Sequence, residues 1–372
     1  MRAGAVAFLA ALSVVSPACA TEGDRVASQL VVPRGFAVNL YAENLPGVRF
    51  MAVGPGGEIL ATLTRQGRVV ALPDANHDGR ADRVVSVADG LDLPHGIEFH
   101  AGSLWVAETG RVIQFPSYKG GKAGAYRKIA DLPSGGGHFT RTLTFGPKDG
   151  LLYVAVGSSC NLCEEEDRRR AAVLRFRRDG SHGEVFAKGL RNAVGLAWNP
   201  VNGELWATSN ERDLLGDDVP PEEIVDVLRL GGDYGWPYCY GNRIANPEFH
   251  NTERCAGTIP PALTDTAHSA PLGCTFYSGN AFPQEYRGDY FVCYHGSWNR
   301  TIPTGYRVVR VRVREGKPVT PIEHFVDGFR PGPGSPIGRP VDVLTAPDGS
   351  LLVSDDYGGR IFRVRWVGSG AR

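Results

Sequence analysis

Six short apolar runs, each entered through a glycine-centred polar turn, punctuate the chain from near its start to its end. The glycines are Gly57, Gly102, Gly150, Gly203, Gly288 and Gly349, and the runs cover positions 58–62, 103–109, 151–158, 204–210, 289–295 and 350–356. Successive glycines lie 45, 48, 53, 85 and 61 residues apart. Runs this short, rich in Val, Leu and aromatic residues and recurring at this spacing, predict small sheets repeated radially rather than one wound sheet. Pro55, Pro147, Pro200 and Pro347 stand a few residues ahead of four of these glycines, which is tight-hairpin chemistry. The predicted fold is all-β: a six-bladed β-propeller of four-stranded antiparallel blades. A β-sandwich with chance turn similarity is the competing reading, but sandwiches seldom hold so regular a spacing for so long.

The segment 35–41 alternates apolar and polar ahead of the first repeat. An unpaired edge strand is a liability, so Phe36 to Tyr41 is expected to close the ring against the last blade, beside Arg360 to Val364. The stretch between Gly203 and Gly288 has the least strand-like material, in 216–223 and 231–255. It is a candidate functional loop; the plainer reading is a lid over one propeller face.

Positive and negative residues balance at 40 each, and no basic stripe follows a periodic face, which argues against nucleic acid as a partner. No linker or low-complexity tail divides the chain, so 21–372 reads as one domain. The first twenty residues are set apart: Arg2, an apolar run over 3–15, Pro17 and the small triplet Ala18-Cys19-Ala20 match a secretory signal cleaved before Thr21. That run is too short to span a bilayer. Cys19 could instead carry a lipid, although Ser16 rather than Leu stands three residues before it. The compartment expected is periplasmic or extracellular. Cleavage removes one of the 7 cysteines and leaves an even set suited to disulfides, with about 15 possible pairings. Cys160 and Cys163 lack the following His of covalent haem and the βαβ setting of a redox pair, so a local disulfide is expected. Cys239 with Cys255, and Cys274 with Cys293, are the natural remaining pairs.

Candidate chemistry falls at turns and blade junctions. Asp74, Asn76, Asp78, Arg80 and Asp82 belong to an oxygen-rich D-x-N-x-D-G-x-x-D loop able to hold a structural Ca²⁺, or else a plain turn of Asp and Asn caps. His138 stands just before a blade's strand, where an imidazole could serve as a base; a structural histidine is the alternative. Arg191-Asn192 holds the equivalent place one blade later, and 295–300 and 338–342 follow at further junctions. Arginines arriving at one mouth of the channel would suit a small polyanion, unless each pairs with a local carboxylate. No glycine turn joins a strand to a helix as nicotinamide binding requires, so a Rossmann dehydrogenase is excluded.

The runs 138–158, 189–224, 231–241, 295–300 and 338–356 together resemble the soluble quinoprotein sugar dehydrogenases, nearest the L-sorbosone dehydrogenase-like branch, over essentially all of 21–372. The resemblance implies a six-bladed propeller with pyrroloquinoline quinone (PQQ) over the channel and Ca²⁺ held by the cofactor and backbone carbonyls. It implies His138 as the general base that takes the proton of a sugar hydroxyl as hydride passes to the quinone. Arg191 and Asn192 match the family's cofactor pair, with Trp298, Arg300 and Arg339 as further contacts; the carbonyls of Arg212 and Asp213 match its active-site calcium ligands. The chain departs from the glucose-oxidising members at Ala193-Val194-Gly195, and the family's cofactor lysine falls near Ser278. With no haem motif in the chain, the implied electron acceptor is a separate cytochrome or quinone-linked protein. Two other classes stay open: a calcium-dependent lactonase-type hydrolase using Asn192, Asn210, Glu211 and Asp342, and a non-catalytic binding propeller.

Overall fold

The computed structural model describes residues 20–368 and 370, so the predicted signal up to Cys19 lies outside the described residues. Blade one is built from Val48–Val53, Ile59–Leu63, Arg68–Leu72 and Val85–Ala88, and blade two from Gly96–His100, Ser103–Glu108, Arg111–Phe115 and Arg127–Asp131. Blade three takes Arg141–Phe145, Leu152–Val156, Ala172–Phe176 and Glu184–Lys188; blade four Ala193–Trp198, Leu205–Ser209, Glu222–Leu228 and Leu263–Asp265. Blade five holds Pro271–Phe276, Tyr290–Tyr294, Arg307–Arg314 and Lys317–Val326. Blade six combines Pro340–Thr345, Leu351–Asp355 and Arg360–Trp366 with Phe36–Ala42 from the other end of the chain.

The last pairing closes the ring. Phe36 lies opposite Trp366, Val38 opposite Val364 and Leu40 opposite Phe362. The Phe36 ring is edge-on to Phe282, Tyr286, Phe325 and Trp366, with centroids 4.7 to 5.1 Å away. Gly35 is required where the chain enters this strand: its φ is +92° and a Cβ would come within 2.3 Å of the Trp366 ring.

Each blade is apolar on both faces because it is sandwiched between two others, and the core is accordingly split into six wedges. One example is blade two against three, where Trp105 and Val112 meet Leu143, Phe145 and Val154. Another is blade four against five, where Trp206 and Ile224 meet Phe276, Tyr290 and Val309. The first strand of every blade contacts the first strands of its two neighbours, so these six line the channel. Since strands alternate in direction, the starts of all six first strands share one face with the loops between second and third strands. The glycine turns 54–58, 146–151 and 346–350 close the opposite face.

The long 229–262 segment is not a free lid. Gly232–Asp233 runs parallel to Ala187 and Lys188 on the outer edge of blade three, and the Cys239–Cys255 disulfide clips the segment before it returns to blade four. The second predicted local bridge, Cys160–Cys163, is formed. Cys274 and Cys293 are not bridged, contrary to expectation. Cys274 lies opposite Val292 in the register, so Cys293, one residue on, points to the other face of the same sheet. One thiol packs in the wedge toward blade four and the other toward blade six. Among the described residues no helix is long and apolar enough to cross a membrane.

Candidate active site

His138, Arg191, Asn192, Trp298, Arg300 and Arg339 all sit on the face where the first strands begin, because each precedes a first strand or follows the second strand of a blade. His138 is half-buried and its Nδ1 lies 3.1 Å from the carbonyl oxygen of Ser158 and 3.0 Å from its Oγ. The Ser158 hydroxyl in turn donates to the Cys160 carbonyl at 2.7 Å. A ring nitrogen facing a carbonyl must be the donor, so Nδ1 carries the proton and Nε2 keeps its lone pair. Burial first, then the Arg191, Arg141 and Arg170 charges, push the pKa of His138 down to about 3, against the opposing Ser158 hydrogen bond. The ring is therefore neutral at pH 7. Gly157 makes room for this arrangement: a Cβ there would meet Asn192 Oδ1 at 2.4 Å and the His138 Cβ at 2.7 Å.

Arg191 is 4 % exposed and its donors are spent on the protein itself. Nε and Nη2 donate to the backbone oxygen and Oδ1 of Asn161 at 3.0 and 2.9 Å, Nη1 to the carbonyls of Asn210 and Glu211 at 3.3 and 2.7 Å, and Nη2 also to Asp213 at 3.1 Å. It is a clamp between blades three and four. Asn192 is buried, its Oδ1 accepting from Thr140 at 3.1 Å. Arg300 reaches the Asp217 carbonyl and Asp218, and Arg339 the carbonyls of His295 and Gly296. Trp298 is 72 % exposed at the rim. The local-carboxylate alternative thus holds for Arg300, with Asp218, and for Arg191, with Asp213.

Arg49 and Asp356 join the mouth without having been named individually in the sequence, and His295 does so as the first residue of the 295–300 junction. Arg49 opens the first strand of blade one, pairs with Asp356 at 2.7 Å and lies over the Phe139 ring at 5.6 Å. His295 meets the same carboxylate at 2.8 Å. Although burial opposes it, the hydrogen bond and charge of His295, with Arg49 and Arg339, hold Asp356 below the ordinary carboxylate range. Arg141 donates to the His138 carbonyl at 2.9 Å. Extending the junction comparison from blades three to six back to blades one and two would have reached Arg49 and His95.

These residues fit a polyanion. Buried donors without a hydrogen-bond partner remain at Arg49 Nε, Arg141 Nε and Arg170 Nη1, although Asp213 and Asp356 each meet an arginine and Asp355 Oδ2 and Glu211 Oε2 are buried acceptors likewise without a partner. The metal positions are less open than expected. The Asp213 carbonyl already accepts from Asn161 Nδ2 at 3.0 Å, and the Arg212 side chain is turned to Asn246 and Glu248. In the 74–82 loop, Asp74 accepts from the amides of Asp78 and Gly79, Asn76 from Asp78, Asp78 from Arg80 and Asp82 from Ala75, at 2.7 to 3.1 Å. Arg80 reaches Asp24 at 2.7 Å. The loop is thus held by its own Asp and Asn caps. Among the described residues the one set of three His, Cys, Asp or Glu side chains gathered within 4.8 Å is Cys160, Cys163 and Glu165, and its cysteines are disulfide-bonded. The 74–82 carboxylates do not converge, and neither do Glu211 and Asp342 with a third partner. Asp342 accepts from the Met51 amide at 2.9 Å, and Asn210 is engaged by the Pro271 carbonyl.

Ser278 is misplaced by the sequence comparison: it follows the far end of Pro271–Phe276, on the face opposite His138. A cleft of about 910 Å³ opens on that opposite face, beside Asp74, Glu58 and Asp348 with Arg83, Lys119 and Arg363. Its balanced charges offer no positive wall for an anionic cofactor, so size alone is a poor guide to the site here.

The chain is similar to several known proteins. The chain is 29 % identical over 356 residues to an uncharacterized protein of Borreliella burgdorferi, covering 92 % of each. It is 26 % identical over 413 aligned positions to the pyrroloquinoline quinone-dependent pyranose dehydrogenase of Coprinopsis cinerea, covering 91 % of this chain but only 54 % of that protein. The holo PQQ domain of a Coprinopsis cinerea pyranose dehydrogenase superposes with a TM-score of 0.77 at 23 % identity, over 90 % of this chain and 97 % of that one, which speaks for the fold. The family model TrAA12-like matches residues 30–366, and the chain belongs to that family, within the quinoprotein sugar dehydrogenases.

Proposed function

We propose that the protein is a periplasmic or secreted quinoprotein dehydrogenase that oxidises a sugar hydroxyl, of an aldose, pyranose or aldosone such as L-sorbosone, with PQQ and Ca²⁺ at the mouth of the channel. The observation that carries this reading is the His138 ring, anchored through Nδ1 so that Nε2 is left as a neutral acceptor beside a cationic wall. When bound, the quinone supplies an electron-pair acceptor for the carbon that bears the hydroxyl. Arg49, Arg339 and the unpartnered donors of Arg141 and Arg170 would hold its carboxylates; the Arg212 carbonyl, and the second lone pair of the Asp213 carbonyl beside its Asn161 bond, are what the chain would offer the metal. His138 Nε2 takes the hydroxyl proton, and a neutral imidazole is the form that can do so. Arg191 and Asn192 shape the wall beneath. Trp298, exposed at the rim, offers a flat apolar face to a sugar ring or cofactor. Electrons would leave to a separate acceptor.

The test is reconstitution. Purified apoprotein given PQQ and Ca²⁺ should reduce an artificial dye in the presence of aldoses; no turnover with any sugar, or turnover independent of PQQ, would count against the proposal. Export predicts a mature N-terminus at Thr21, the residue that N-caps the helix Glu22–Ala27. N-terminal sequencing of the protein recovered outside the cytoplasm checks this.

A further inference from the structure

The loop after the second strand of blade three makes more contacts than a surface staple needs. Cys160 and Cys163 close it, and Asn161 stands inside. Asn161 Oδ1 accepts from the Asp213 amide at 2.8 Å and from Arg191 Nη2 at 2.9 Å, its Nδ2 donates to the Asp213 carbonyl at 3.0 Å, and its own carbonyl accepts from Arg191 Nε at 3.0 Å. The amide thus reads both backbone groups of Asp213, as a neighbouring strand would, which takes one donor and one acceptor on a short side chain. The Asp213 carboxylate continues the chain of contacts, to Arg191 Nη2 at 3.1 Å and Asn299 Nδ2 at 2.8 Å. At the other end of the loop the Ser158 amide donates to the Arg191 carbonyl at 2.8 Å, while Ser158 holds the His138 ring and donates to Cys160. One disulfide-closed turn therefore touches the histidine, the buried arginine and the 210–213 loop of the next blade.

We propose that Asn161, fixed by the Cys160–Cys163 clasp, is a positioning residue that sets Arg191 and the 210–213 loop relative to His138, a role that rests on the dehydrogenase reading above. Asn161 touches neither substrate nor cofactor in this role; it acts through its neighbours. Removing the amide frees Arg191 Nη2 of one acceptor and releases both Asp213 backbone groups, while the Arg191 Nε bond to the Asn161 carbonyl stays possible. Aspartate keeps the size but places an oxygen against the Asp213 carbonyl and carboxylate.

Two readouts test it. In Asn161→Ala, amide hydrogen exchange at Asp213 should quicken by at least about tenfold while the strands of blades one and six keep their protection, since only the local contact is lost. In the same variant reconstituted with PQQ and Ca²⁺, kcat should fall about 10- to 100-fold, as displaced supporting contacts do, and Asn161→Asp should fall at least as far. If Asn161→Ala does not fold, the paired Cys160→Ser/Cys163→Ser variant, with every Asn161 contact still possible but the clasp open, should show both effects in weaker form. Unchanged exchange at Asp213 overturns the proposal, as does faster exchange with parental kcat. If the parent itself takes up no PQQ, measured by equilibrium binding, the dehydrogenase reading falls, and the exchange experiment still judges whether Asn161 holds the loop.

Discussion

Burial and three guanidinium groups oppose a second proton on His138, and only the Ser158 contact works the other way. In cofactor-free protein the ring should titrate well below the ordinary 6.5, near about 3, when followed by NMR of the imidazole carbons. A midpoint at or above 6.5 would contradict the described environment. The sign for stability follows: between about 6.5 and about 3 the unfolded chain takes up the proton first, so this residue withdraws stability as pH falls through that window. A carboxylate-bearing ligand at the mouth should raise the midpoint, because it adds the opposite charge. At this scale the sequence was informative about residue types at junctions, which is how His138, Arg191, Asn192 and Arg339 were reached. It was uninformative about partners. That Arg191 is saturated by Asn161, Asn210, Glu211 and Asp213 depends on loops 30 and about 20 residues away folding back on it, and no local pattern encodes that.

The strands were legible because a short apolar run behind a glycine turn has few other uses. The ring closure adds a testable element: Phe36 is buried among four aromatic rings, so Phe36→Ala should cost about 3 to 5 kcal/mol, measured by denaturant unfolding. A loss under about 1 kcal/mol would mean the strand contributes little to closure. Cysteine pairing divides along the same line. Both bridges that formed lie outside the blade strands, at separations of 3 and 16 residues, where the chain can bring sulfurs together. Cys274 and Cys293 lie on adjacent strands with opposite parity, which needs the register rather than the spacing. Alkylation of the unreduced, denatured mature protein should therefore label two cysteines, and mapping should find both in blade five. Labelling of none would require the pair that the register forbids.

The whole molecule separates its two faces. One gathers the six first-strand starts, with His138, Arg49, Arg141, Arg170, Arg191 and Arg339 about the channel; the other carries the hairpin turns and the 74–82 loop, tied to the N-terminal helix through Arg80 and Asp24. That polarity follows from antiparallel strands of even number per blade, so a residue's place just before a first strand was enough to assign its face. Ser278 failed that test because it follows a first strand rather than preceding one. The account stands on His138 acting as base on the cationic face. The direct measurement is to compare parent and His138→Ala, both loaded with PQQ and Ca²⁺, for cofactor affinity and for kcat in dye-linked sugar oxidation. The account predicts PQQ affinity within a few-fold of the parent and kcat lower by about 10²- to 10⁴-fold, the usual contribution of a positioned base; sugar oxidation at the parent rate would contradict it.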